Sequence, residues 1–230
     1  MPRVLSRSSA SVVMRSSDGR LTHLSPQQTL HWYACGPTVY EHSHLGHARA
    51  YIHADIIRRV LTQFFHINVV YAMGVTDIDD KIIARLKFPS MQALQSLTKT
   101  YEDSFFEDLE ALQVLSPHIV LRVSEHIEEI IQYIERIIEL NHAYVSEGDV
   151  YFDARSFEKY ARFGKLPEEP DDPPPLGNKR HFRDFALWKA AKPNEPSWSS
   201  PWGNGRPGWH IGMLQLEPCH LHNSCQSAVP

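Results

Sequence analysis

Tyr33-Ala34-Cys35-Gly36-Pro37-Thr38-Val39-Tyr40 leads, after three residues, to His44-Leu45-Gly46-His47. The apolar run Leu30 to Ala34 reads as a buried strand that stops in a Gly-Pro turn. The stretch that follows, Ala48 to Phe65, has the spacing of a long amphipathic helix. Two histidines therefore stand at a strand-to-helix junction, where free backbone N–H groups and the positive end of the helix dipole attract anions. Imidazole donors there can hold nucleotide phosphates, and Gly46 lets a flat base lie against bare backbone. Ile67 to Met73 is the next β-branched, apolar run, so strand, helix and strand make one βαβ unit. Gly74-Val75-Thr76-Asp77-Ile78-Asp79-Asp80-Lys81 follows directly, at the edge where open α/β sheets bind ligands.

Further along, Met91 to Gln113 and Ser124 to Leu140 read as helices. In the second, Ile127, Ile130, Ile131, Ile134, Ile137 and Ile138 form a core-facing stripe with charges opposite, which is packing and not a site. Ala143 to Val145 and Val150 to Phe152 flank Glu147-Gly148-Asp149 as a hairpin. The proline-rich, acidic stretch Leu166 to Asn178 reads as a surface loop. Ser199 to Ile211 concentrates glycines and prolines around Trp202, Arg206 and Trp209, which suits either a closely fitted pocket wall or a packed loop.

The 230 residues carry a net charge of -4, so no overall basic field draws nucleic acid, although a local basic patch is compatible with that balance. Three cysteines, odd in number and widely spaced, argue against a disulfide framework and for a reducing compartment. No apolar run reaches the length of a membrane span. Residues 1 to 17 hold Arg3, Arg7, Arg15, six serines and no acid, the composition of a mitochondrial presequence, while Ser11 to Met14 could equally open a first strand.

Taken in order, Cys35-Gly36-Pro37-Thr38-Val39-Tyr40, His44-Leu45-Gly46-His47, Thr76-Asp77-Ile78-Asp79-Asp80-Lys81, His142-Ala143-Tyr144, Asp184-Phe185-Ala186-Leu187-Trp188-Lys189 and Gly208-Trp209-His210-Ile211 resemble the cysteinyl-tRNA synthetases, class I aminoacyl-tRNA synthetases. The resemblance covers roughly residues 12 to 211. It implies an α/β, Rossmann-like nucleotide-binding fold, incomplete here, with an inserted α+β connective region. Residues 1–87 would be the first half of the catalytic domain, 88–180 the insertion, 181–211 the return, and 212–230 an unrelated tail. It implies that cysteine is joined to ATP, with Mg2+, and then transferred to tRNA(Cys), whose binding region lies beyond this stretch.

By the same resemblance His44 and His47 are catalytic, Thr38, His44, Gly46 and His47 bind ATP, and Gly36, Thr76 and Trp209 line the cysteine pocket. Cys35 matches a zinc ligand; zinc binds a substrate thiolate directly and so separates cysteine from serine. The family continues after Trp-His-Ile with Glu-Cys, a second ligand, whereas Ile211 is followed here by Gly212-Met213-Leu214. Cys219, His220, His222 and Cys225 lie too close together to wrap one zinc. Three expectations follow: the N-terminal portion of a cysteine–tRNA ligase, a relative that passes cysteine to an amino sugar, or a non-catalytic truncated isoform. The expected compartment is the mitochondrial matrix, with the cytoplasm as the alternative.

Overall fold

The computed structural model describes residues 12–15, 21–24, 26, 29–157, 177–209 and 211. Most of the presequence-like stretch, the loop up to 176, His210 and the tail 212–230 lie outside the described residues. A short ribbon pairs β1 (Val12–Arg15) with β2 (Leu21–Leu24) in antiparallel fashion. Then β3 (Thr29–Thr38), α1 (Leu45–Arg59) and β4 (Asn68–Thr76) form the expected βαβ unit, with β3 and β4 parallel.

The strand does not stop at Cys35-Gly36. It continues through Pro37 to Thr38 with a shift in register, because Cys35 pairs with Gly74 but Thr38 pairs with Thr76. Three steps on β3 thus match two on β4. Pro37 has no N–H to give the ladder, so the extra residue is absorbed there as a bulge. The ladder recovers when the Val39 N–H donates to the Thr76 carbonyl at 3.1 Å. Gly36 lies so close to β4 that a Cβ would overlap the Gly74 carbonyl oxygen and meet Met73 Cγ at 2.9 Å.

Helix α1 begins three residues earlier than its apolar periodicity indicates and ends in a wider turn over Val60–Phe64. Next come α2 (Asp80–Ala84), α3 (Met91–Ala111) and β5 (Ile119–Arg122). β5 pairs parallel with β4, so the sheet order is β3-β4-β5. Its third strand therefore comes from within 88–180, the stretch that the resemblance assigns to an insertion. Arg122 of β5 grips the buried Glu102 of α3 through two nitrogens, at 2.6 and 2.9 Å, which fixes α3 to the sheet.

Helix α4 (Ile127–Glu139) buries Ile127, Ile130 and Ile134, with Ile131, Ile137 and Ile138 at the margin. The hairpin β6 (Ala143–Ser146) and β7 (Asp149–Phe152) turns on Glu147 and Gly148, at φ of 52° and 84°. Positive φ at both central residues matches the twist of the flanking strands. β8 (Phe185–Ala190) and β9 (Gly205–Pro207) complete an antiparallel sheet in the order β6-β7-β8-β9. One core cluster joins the two sheets: Ala72 and Leu121 of the parallel sheet pack with α2, α4, Val150, Leu187, Trp188 and Ile211.

Ile134→Ala should cost about 2–5 kcal/mol of stability, the range for emptying a fully buried branched side chain. Ile56→Ala, on the exposed face of α1, should cost a small fraction of that. Equal denaturation midpoints for the two variants would contradict this core.

Candidate functional site

The C-terminal ends of β3 and β4 and the N-terminus of α1 converge on a cleft of about 350 Å³. Thr38, His44, His47, Asp79, Lys81, Tyr101 and Trp209 are among its lining residues. Open parallel sheets offer ligands this edge, because strand ends and helix N-termini meet there.

His44 is the N-cap of α1 and His47 sits in its first turn. The two cap the helix reciprocally: the Gly46 N–H donates to His44 Nδ1 at 3.0 Å, and the His44 N–H donates to His47 Nδ1 at 3.2 Å. The rings stack with centroids 4.0 Å apart. A backbone N–H can only donate, so each Nδ1 is an acceptor and each imidazole carries its proton on Nε2. A serine–glutamate capping box does the same job for an ordinary helix. Here it also leaves two aligned Nε2–H donors at the cleft. Gly46 serves this arrangement directly, since a Cβ there would lie 2.7 Å from His44 Cε1.

The surrounding charges leave that helix end free for an anion. No acidic residue occupies the first turn of α1. Glu41 is tied to Arg85 at 2.7 Å, and Asp79 caps α2 by accepting from the Lys81 N–H at 2.9 Å. Lys81 Nζ lies 5.6 Å from the centre of the Tyr40 ring. Burial, then the neighbouring His44, lowers the His47 pKa below its usual value, while Glu41 opposes the change.

Of the residues singled out from the sequence, Thr38, His44, His47 and Trp209 line this cleft together, and Gly46 shapes it. Trp209 Nε1 reaches Thr38 Oγ1 at 3.4 Å, whereas Trp202 packs on Trp188 in the core, so the indoles of this run divide between wall and packing. Gly36 and Thr76 lie behind the cleft lining. Gly36 is pressed against β4, and Thr76 is buried with its carbonyl bonded to Val39. Cys35 is exposed on β3 and forms no disulfide, and the Tyr51 hydroxyl donates to its carbonyl at 3.2 Å. Among the described residues no three His, Cys, Asp or Glu converge on a metal position, so these residues do not by themselves fit a zinc site.

Sequence reading passed over Tyr101 and Phe105. They stand four apart on α3 and form a wall of the cleft, with the Tyr101 ring against His42 at 5.1 Å. Their i, i+4 spacing was the available signal, but it is indistinguishable from core patterning.

The sequence model for the catalytic domain of class I (C) tRNA synthetases matches residues 21–225. The chain belongs to that family. The match extends to residue 225 and so takes in most of 212–230, the stretch that the resemblance sets apart as an unrelated tail. Relatives agree. A probable mitochondrial cysteine–tRNA ligase of Xenopus tropicalis is 52% identical over 182 residues, covering 78% of this chain and 32% of the relative. The cytoplasmic cysteine–tRNA ligase of Dictyostelium discoideum is 46% identical over 203 residues, 80% of this chain and 30% of the relative. The cysteine–tRNA ligase of Pyrococcus horikoshii is 48% identical over 201 residues, 84% of this chain and 41% of the relative. The chain thus spans about a third of the length of the curated relatives it matches. No described helix is long and apolar enough to cross a membrane.

The reciprocal cap titrates. The folded His47 pKa is lowered, so the unfolded chain binds a proton that the folded chain refuses. The cap is fully stabilising above about pH 6.5, the free imidazole value, and weakens as pH falls from there towards the lowered value. Imidazole nitrogen NMR at pH 7.5 should show Nε2–H on both rings; a proton on either Nδ1 would rule the reciprocal cap out.

Proposed function

We propose that this chain carries the ATP-phosphate side of a cysteine–tRNA ligase. One observation carries the reading: two neutral imidazoles, locked by a shared cap, present Nε2–H donors at the positive end of α1 in a cleft at the parallel-sheet edge. The cysteine carboxylate attacks the α-phosphate of ATP, the bond to the β-phosphate breaks, and pyrophosphate leaves. The adenylate then passes cysteine to a ribose hydroxyl at the tRNA 3′ end and releases AMP. Negative charge on the transferring phosphate is what His44 and His47 stabilise, since phosphoryl transfer is governed by positioning and electrostatics. Thr38 and Gly46 belong to the same phosphate-facing edge. Trp209 with Gly36 and Thr76 forms the side that receives cysteine, and Mg2+ accompanies ATP.

The relatives named above are ligases acting on tRNA, which favours tRNA over an amino sugar as acceptor. No step of this reading runs through zinc. Cys35 is one donor, and a tetrahedral site needs ligands that the described residues do not bring to it. The mitochondrial matrix is the proposed compartment, on the basic, serine-rich N-terminus and the Xenopus relative, although a cytoplasmic form is nearly as similar.

In a protein that carries the complete catalytic domain with this sequence, His44→Ala or His47→Ala should slow cysteine-dependent pyrophosphate exchange by about 100-fold, the effect of losing one preorganised donor. Cysteine binding should stay within a few-fold. Exchange close to that of the unsubstituted protein would remove the histidines from the phosphate site.

A further inference from the structure

Asp80 opens α2 one residue from Lys81, yet it faces away from the cleft towards the antiparallel sheet. One carboxylate oxygen accepts from Arg206 Nη2 and the other from Lys189 Nζ. Lys189 and Arg206 are directly opposed partners on β8 and β9. Like charges in that relation repel. Arg206 is also buried, at 4% exposure, and its Nε has no hydrogen-bond partner, with Glu195 Oε2 3.9 Å away. Asp80 thus shares its one negative charge between two opposed cations, one of them inside the protein, where an uncompensated charge is costly, and Glu195 is the second acid beside Arg206.

The backbone on both sides has little freedom. Gly205 exchanges hydrogen bonds with Trp198 at 2.8 and 2.9 Å, and the Gly208 N–H donates to the Leu187 carbonyl at 2.8 Å. Cβ atoms at Gly205 or Gly208 would collide with the backbone of β8. Arg206 is therefore held between two pinned glycines, and Trp209 follows the second of them into the cleft. On the other side Ile82, two residues after Asp80, is fully buried in the shared core.

Resting on the reading above, we infer that Asp80 is a positioning residue for the reaction: through Arg206 and Lys189 it ties α2 to the antiparallel sheet and so holds the Trp209 wall against Thr38. It touches no substrate. Its carboxyl is held below the usual range: burial pushes it up, but the Lys189 hydrogen bond and the Arg206 charge outweigh burial. Thr38 ends a strand of the parallel sheet and Trp209 stands two residues past β9 of the antiparallel sheet, and the clamp ties α2, which also carries Lys81, to that second sheet.

The test uses Asp80→Asn and Asp80→Glu in the full chain, with Ile134→Ala as a variant destabilised elsewhere. Exposure of Trp209 is read by acrylamide quenching, as the difference between each protein and its Trp209→Phe counterpart; ATP binding is read by equilibrium dialysis. Trp209 is already 51% exposed, so Asp80→Asn should raise its quenching by about 1.5-fold through local opening, while Ile134→Ala leaves it unchanged. Asp80→Glu should return quenching most of the way to that of the unsubstituted chain. Asp80→Asn combined with Arg206→Met should be non-additive by roughly fivefold in the unfolding equilibrium constant. A lower melting temperature for Asp80→Asn with unaltered Trp209 quenching would reduce the residue to a structural role and overturn the inference. Should Trp209 move as stated while His44→Ala leaves pyrophosphate exchange unchanged in a protein with the complete catalytic domain, the clamp stands and the phosphate-site reading falls.

Discussion

The parallel pairing of β3 with β4 is the constraint from which the site follows. Parallel neighbours cannot be joined by a tight turn, so the chain must travel back along the sheet before β4 begins. Helix α1 makes that return journey, and its N-terminus is thereby left at the same edge as the ends of both strands. His44 and His47 acquire their place at the sheet edge from this geometry, while the local reciprocal cap sets the orientation of their rings. The bulge at Pro37 refines it: one residue more on β3 than on β4 turns the segment from Thr38 to Tyr40 into the cleft.

Buried carboxylates secure the rest, each accepting from donors on a different element. Asp184 takes the Tyr144 hydroxyl at 2.7 Å and the N–H groups of His181 and Ala154 at 3.0 and 3.1 Å. Burial, with Asp184 as hydrogen-bond partner, pushes the Tyr144 phenol up to about 12. Asp77, at the end of β4, takes the N–H and hydroxyl of Ser124; burial raises its pKa even so. A buried carboxylate with several donors ties its neighbours together, since losing any donor leaves charge unsatisfied in a medium that solvates it poorly.

In the reading proposed above, the cleft draws negative charge through orientation. The chain as a whole is acidic, and Lys81 is the single lysine or arginine among the lining residues. Aligned N–H groups and two neutral imidazoles serve instead of a cluster of cations. Such donors need no counter-ion and do not reorganise when phosphate charge develops.

Strand, helix and strand were legible from Leu30 onwards, because apolar strands and an amphipathic crossover have distinct periods, but Leu30 to Ala34, which reads as a buried strand, is only partly covered, and β4 is the strand that is buried. The isoleucine stripe of α4 and the turn at Glu147-Gly148 were legible for the same reason: period and backbone freedom are written in adjacent residues. The end of β3 was misplaced, since Gly-Pro signals a turn locally while cross-strand bonds to β4 carry the chain straight on. Tyr101 and Phe105 went unnoticed, because a cleft wall and a core face share one spacing. By itself the sequence singled out the histidine pair, Thr38 and Trp209, because each belongs to a short-range motif. Only the tertiary structure decided which of them meet, because Trp209 arrives 171 residues after Thr38 through a different sheet, held by side chains that no local pattern couples.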